Sequence, residues 1–275
     1  MAGMKRDKMR VCHVAQWCRK ALEPWAEKAA HGGPLSDEDV HQLRVATKRV
    51  RAAWRVMESD KRVAREHSAN LAAAARMVSG ERDAAVLRAL ITEMEKTSEQ
   101  SAGDGFYEWL ADAVTSDCLD RSVPVERGDG VSIRARLAKA LDDLAPYLQD
   151  EFSGHRKVLY GMRRTAKKCR KSLRKAARND TPEEWHKARR RVKFVVHQNQ
   201  IVCELAGQDL PDEVTAMRGL ARQLGEWNDL DNLRAAMSRI AVPACHTDDA
   251  RSVMEWIEAR DREMRDAVKK VVRGG

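Results

Sequence analysis

The chain has 275 residues, of which 43% are hydrophobic and 34% charged, with a formal net charge of +9 and a pI of about 9.4. That length suits one large domain or two small ones with a real core. Six cysteines without a C-x-x-C pair argue for reduced thiols in a cytosolic protein rather than a disulfide scaffold. No run of 18 apolar residues occurs, and no apolar h-region follows Lys5, Arg6, Asp7 and Lys8, which argues against a membrane span and a signal peptide.

The charge is unevenly placed. Between His155 and Lys193 there are 16 Lys/Arg and 3 Asp/Glu, leaving 35 against 39 in the rest of the chain. A basic feature set in a slightly acidic body implies an anionic partner and salt-dependent binding. Ala, Leu, Arg, Lys and Glu outnumber β-branched and aromatic residues, and no strand alternation is visible, so the elements are read as helices throughout.

In chain order, the first break falls at Gly32-Gly33-Pro34. Ser36, with Asp39 three residues on, is a helix N-cap, and the helix it opens runs to near Glu58. Val40, Leu43, Thr47, Val50, Trp54 and Met57 form its apolar stripe. His41, Arg44, Lys48, Arg51 and Arg55 share that 3-4-3-4 spacing one residue later, about 100° round the helix. The stripe therefore borders the core. From His41 to Met57 there is no acid, whereas an ordinary solvated helix face mixes signs and gains i,i+4 pairs.

A second segment, Val78-Ser79-Gly80-Glu81-Arg82-Asp83 on to Leu87-Arg88, precedes a break at Ser101 to Gly105, and Asp83 is expected to cap or pair at the next helix start. Pro124 to Gly130 is the best mid-chain boundary. It divides a first bundle repeat, 1–123, from a second, 131–275, with 124–130 as linker. From Arg156 to Arg178 there are 11 Lys/Arg and no acid. Leu159, Met162, Ala166, Cys169 and Leu173 supply an apolar edge, Arg163, Lys167, Arg170 and Arg174 one basic face, and Arg164, Lys168, Lys171 and Lys175 the next.

After Asn179 to Pro182 the first repeat helix recurs at an offset of 145 residues. Thr181 aligns with Ser36, Glu184 with Asp39, His186 with His41, Arg189 with Arg44 and Lys193 with Lys48, and Pro182 occupies the first helical position. The stripe then departs from the first copy, with Val196 and Gln200 next, while Lys187, Arg190, Arg191 and His197 add basic groups. This helix ends near Gly207. Leu224 to Arg234 then repeats Val78 to Arg88 at an offset of 146, with Asp229 matching Asp83. Two matched segments in the same order indicate duplication.

The twice-written H-x-x-R-x-x-x-K helix, followed by an L-G-x-x-R-D-x-x-x-L-like segment, resembles the CHAD family, the conserved histidine α-helical domain. The likeness covers nearly the whole chain, with Val78-Ser79 and Asn228-Asp229 as departures in the second motif and Phe194 and Val196 in the second repeat helix. It implies an all-α fold, a tandem duplication of two antiparallel helical bundles around a basic groove or pore. It also implies binding of inorganic polyphosphate and, in some bacteria, residence at polyphosphate granules; the residues themselves add the expectation of a cytoplasmic, non-enzymatic protein without a cofactor or metal. The implied contacts are His41, Arg44, Lys48, Arg49, Arg51 and Arg55 in the first half and His186, Arg189 and Lys193 in the second. Arg190 and His197 can substitute from a neighbouring face, and Arg163, Lys167, Arg170 and Arg174 are expected to line the same groove.

Three alternatives bear on that reading. A phosphohydrolase, or an accessory module for one, is the first, but there is no P-loop, R-H-G or H-E-x-x-H motif, and Glu93, Glu95 and Lys96 have the wrong spacing for a triphosphate tunnel. No acidic metal cluster accompanies the stripes. RNA or single-stranded DNA is the second; single-strand binders interleave aromatics with basic residues, whereas aromatic content here is 5%. The third is a merely solvated basic face.

Overall fold

The computed structural model describes residues 9–32, 35–97, 103, 105–121, 131–150 and 154–274. The expected linker Pro124 to Gly130, the charged N-terminal residues Lys5 to Lys8, Gly33-Pro34 and most of the Ser101 to Gly105 break lie outside them.

Every regular element among the described residues is helical. The helices are α1 (Val11–His31), α2 (Asp37–Met57), α3 (Lys61–Met77), α4 (Gly80–Thr97), α5 (Phe106–Arg121), α6 (Ile133–Leu148), α7 (His155–Asn179), α8 (Pro182–Ala206), α9 (Asp212–Met237) and α10 (Thr247–Gly274), with a 3-10 turn at Ala244–His246. The expected all-α fold is what the chain adopts. Asp83 lies in the first turns of α4 and Asp229 in the middle of α9, so neither is an N-cap. The Leu224 to Arg234 segment is interior to one long helix, because nothing between Asp212 and Met237 breaks it.

The chain forms two compact units. One comprises Met1–Met77 with Pro124–Ala221, the other Val78–Val123 with Arg222–Gly275. Each takes helices from both sequence repeats. The second unit is built on α4, α5, the C-terminal part of α9 and α10, around Leu87, Ile91, Phe106, Leu110, Leu233 and Ile257. Its buried carboxylate, Asp261, accepts from Trp227 Nε1 at 2.6 Å and from Arg265 at 2.7 Å, with Arg234 at 3.4 Å.

In the first unit α2 is central and packs against α1, α3, α7 and α8. Its start is fixed by the expected capping box. Asp39 N donates to Ser36 Oγ at 3.2 Å and Ser36 N to Asp39 Oδ2 at 3.0 Å. Lys28, 2.5 Å away, and Ser36 hold the Asp39 carboxyl down at about 2. The apolar stripe from Val40 to Met57 is buried as its spacing requires. Trp54, in the last turn of α2, stacks on His67 at 4.2 Å and meets Tyr147 edge-on at 5.2 Å.

Helix α8 begins on Thr181, whose hydroxyl accepts from Glu184 N at 3.4 Å, and ends on Gly207 in the left-handed conformation (φ 61°, ψ 39°). It lies antiparallel to α2. Arg55 faces Phe194, Ala52 O accepts from Gln198, and Arg49 pairs with Glu204, so the α2 numbers fall as the α8 numbers rise. Helices α7 and α8 form a hairpin turned at Asp180, which is left-handed at φ 53°. Trp185 Nε1 donates to the Asp180 carboxylate at 3.0 Å and ties that turn to α8.

Helix α7 is rotated from its expected setting. Its buried face is Val158, Gly161, Thr165, Cys169, Ser172 and Ala176. Of the expected apolar edge only Cys169 is fully buried; Leu159, Met162, Ala166 and Leu173 are half-buried. The reason is close packing. A Cβ added at Gly161 would sit 2.7 Å from Val56 Cα and 2.8 Å from Val56 O. Small residues therefore face α2, and the bulkier apolar ones flank the interface.

Candidate anion-binding site

A cavity of about 300 Å³ opens in the first unit where the C-terminal half of α2, the start of α3, the middle of α7 and the first half of α8 converge. Arg51 and Arg55 come from α2, and Lys61, Ala64 and Arg65 from α3. Arg164, Thr165 and Lys168 come from α7, and Lys187, Arg190, Arg191 and Phe194 from α8. Nine of these twelve side chains are cationic and none is a carboxylate.

Such crowding is unfavourable without a counter-charge, and the titration behaviour records it. Arg55 is pushed down to about 10 from an ordinary 12.5, by burial first and then by Arg51, Arg191, Arg65 and Arg164. Its guanidinium lies over the Phe194 ring at 4.2 Å, and its buried Nε has no hydrogen-bond partner among the described residues. Arg51 is lowered by burial and by Arg76 and Arg190, while its Nε donates to Ser68 Oγ at 3.2 Å. Burial lowers Lys168 as well, helped by Arg164, Lys61, Arg191 and Arg55.

The walls are held by hydrogen bonds from arginine side chains to main-chain carbonyls. Arg164 donates to Arg55 O, Glu58 O and Ser59 O, each at 3.1 Å, placing a cation at the carbonyl end of α2. Arg191 donates to Lys168 O at 2.8 Å, pinning α8 to α7. Behind the cavity, buried Gln198 donates to Ala52 O at 2.9 Å and Thr165 Oγ1 at 3.2 Å. Thr165 Oγ1 donates in turn to Gly161 O at 3.0 Å. One amide thus cross-ties α2, α7 and α8 where Gly161 lets them approach.

Of the residues named from the sequence as phosphate contacts, the cavity lining contains Arg51, Arg55 and Arg190; Arg164, Lys168, Lys187 and Arg191, noted there only as further basic groups, line it as well. His41 is exposed near the start of α2, and Arg44, Lys48 and Arg49 follow it, half-buried, outside the lining. Because α2 and α8 are antiparallel, His186 and Arg189 stand near the end of α2 opposite to His41. Arg49 lies over Trp17 at 4.5 Å and pairs with Glu204, whose Oε2 accepts from Trp17 Nε1 at 3.0 Å. His197 shares a 3.0 Å hydrogen bond with Gln200; burial, with Arg49, Lys193 and Lys48 nearby, lowers its pKa despite that bond.

On α7 the expected face, Arg163, Lys167, Arg170 and Arg174, is exposed and outside the lining; half-buried Arg164 and exposed Lys168 line the cavity instead. The one-residue rotation of the buried stripe accounts for this. Sequence reasoning missed Lys61 and Arg65. Their i,i+4 spacing is visible, but Asp60 and Glu66 beside them give the look of an ordinary mixed surface.

The duplication does not extend to the cavity. At the 145-residue offset, Arg51 and Arg55 correspond to Val196 and Gln200, and Lys187, Arg190 and Arg191 to Gln42, Val45 and Ala46. Five cationic wall positions from α2 and α8 are thus neutral in the other copy.

Among the described residues no group of three or more His, Cys, Asp or Glu is arranged to hold a metal ion, and no helix is long and apolar enough to cross a membrane. No curated protein and no solved structure matches the chain significantly. The family model described as CHAD domain matches residues 13–238. Spanning both copies of the His-x-x-Arg-x-x-x-Lys helix, that match shows that the chain belongs to the CHAD domain family.

Proposed function

We propose that the chain binds inorganic polyphosphate in the first-unit cavity, without turning it over, as a cytoplasmic protein that associates with polyphosphate granules. The observation that carries this reading is the lining of nine cationic side chains and no carboxylate around about 300 Å³. That volume holds on the order of ten waters, a space suited to a few phosphoryl groups. Arginine forks and lysine ammonium groups are the donors that phosphate oxygens take. Arg55 and Lys168, both lowered by burial and by their neighbours, gain most from an anion between them.

The lining also favours a bare phosphate polymer over nucleic acid. Its aromatic residue, Phe194, already carries the Arg55 guanidinium over its ring. Recognition of single strands rests largely on aromatic faces stacked against bases. Binding without turnover is supported by a wall that offers donors but neither a carboxylate base nor a carboxylate metal ligand.

The test is calorimetric titration of polyphosphate into the wild type and into Arg55→Gln/Arg65→Gln/Arg190→Gln at physiological salt, with circular dichroism as the fold control. The expected result is wild-type binding with no phosphate release in Mg²⁺, and at least a hundredfold loss in the variant. Equal affinity of the two proteins would place binding elsewhere.

A further inference from the structure

The outward face of α7 bears a row of cations that the cavity does not use. Arg163, Lys167, Arg170 and Arg174 are exposed at spacings of four, three and four, and Lys171 is exposed beside them. Among the described residues none of these five makes an ion pair. No acid occurs anywhere in α7, although helix faces of this length ordinarily mix signs. The row adjoins the cavity directly, since Arg164 and Lys168 in the cavity wall each follow one of its members by a single residue. Lys171 continues the wall stripe itself. Farther on, Lys175 is paired with Glu184 at 2.5 Å, so the unpaired part of that stripe ends there.

We infer that a polyphosphate chain held in the cavity runs out over the rim of α7 and onto this row, so that the protein discriminates polyphosphate by chain length. The inference rests on the proposed function. The cavity accepts a short stretch and sets whether the polymer binds; the α7 face sets how much longer chains gain. From Arg163 to Arg174 the row extends about 16 Å along the helix at 1.5 Å per residue. A tripolyphosphate seated in the cavity leaves most of that length untouched, whereas a chain of tens of phosphates covers it. Each exposed cation that meets a phosphate displaces a counterion, so chain length appears in the salt dependence as well as in affinity.

The measurement is binding of tripolyphosphate and of polyphosphate about 100 phosphates long over a range of salt concentrations. The proteins compared are the full-length wild type and Arg163→Gln/Lys167→Gln/Arg170→Gln/Arg174→Gln. All four side chains are solvent-exposed, and circular dichroism checks that the helices persist. The variant is expected to bind tripolyphosphate as the wild type does, and the long chain at least tenfold more weakly. The slope of log K against log salt should be shallower by about 2 to 3, at roughly 0.7 for each phosphate no longer neutralised. The greater number of binding registers on a long polymer is common to both proteins and cancels. Unchanged long-chain affinity and slope in the variant would overturn the inference and leave the cavity reading standing. Loss of tripolyphosphate binding in the variant would also overturn it, by making the face part of the primary site. A wild type that binds neither phosphate would remove the proposed function itself.

Discussion

Arg55 separates a binding cavity from a structural charge cluster, because the two readings predict opposite signs for one substitution. Its pKa is held at about 10 against an ordinary 12.5. At 1.36 kcal/mol per unit, that depression corresponds to about 3 kcal/mol of penalty for keeping the guanidinium charged in the folded state. The residue is only half-buried, and solvent screening reduces the figure. Replacement by methionine also forfeits the Phe194 interaction, worth about 1 kcal/mol, while keeping an apolar stem of similar reach. The balance is a ligand-free Arg55→Met protein more stable than wild type by about 1 kcal/mol. The sign follows from the direction of the shift: a base with a depressed folded pKa imposes its full penalty below about pH 10, and the penalty fades as pH rises toward 12.5. Urea denaturation at pH 7.5 and low salt, followed by tryptophan fluorescence, measures the effect, which should shrink as salt is added. Polyphosphate should reverse the order, stabilising the wild type more than the variant. A loss of more than about 1 kcal/mol in the ligand-free variant would refute the reasoning, since it would make Arg55 a stabilising structural cation.

Gly161→Ala places a Cβ against the Val56 backbone at 2.7 Å, where no side chain can yield, so α7 must move off α2. The expected cost is about 2 kcal/mol in urea unfolding, together with weaker polyphosphate binding as Arg164 and Arg55 separate. Polyphosphate affinity should fall as pH is raised from 8 to 10.5. Arg55, lowered to about 10, and Lys168, lowered below the ordinary lysine value, lose protons over that range in the empty cavity, and binding takes them up again. Calorimetry in buffers of different ionisation enthalpy detects that uptake, and Arg55→Met should give a flatter profile. Asp261→Asn removes the buried carboxylate shared by Trp227, Arg265 and Arg234 in the second unit. It should cost about 3 kcal/mol of stability. Native polyphosphate affinity should not change, because every cavity residue belongs to the first unit.

The legible part of the fold is what periodicity and capping encode. The apolar stripe from Val40 to Met57, the Ser36 and Thr181 caps and the Gly207 stop each rest on local chemistry, and each is present. Helix α7 shows where that reasoning ends. Its large apolar residues point to one face, but the tight approach to α2 selects Gly161, Thr165 and Ser172, whose smallness carries no hydrophobic signal. The one-residue difference turns the helix by about 100° and exchanges Arg163 and Lys167 for Arg164 and Lys168 in the cavity wall. The stripe from His41 to Arg55 reads as a single row, yet only its last two members reach the cavity, because the antiparallel crossing of α2 and α8 depends on tertiary packing. Lys61 and Arg65 join from α3 for the same reason. Conversely, the unequal charge of the two repeat helices is legible in Val196 and Gln200 alone, and it corresponds to the neutral copy of the cavity wall.

The most direct test of polyphosphate as the ligand is competition at physiological salt. A labelled polyphosphate chain is bound to the wild type and challenged with unlabelled polyphosphate, tRNA or single-stranded DNA at equal phosphate concentration, with Arg55→Gln/Arg65→Gln/Arg190→Gln as the control. Unlabelled polyphosphate should displace the label at least tenfold more effectively than either nucleic acid, and the control should bind little label at all. Displacement by tRNA or single-stranded DNA at equal or lower concentration would contradict polyphosphate as the ligand of this cavity.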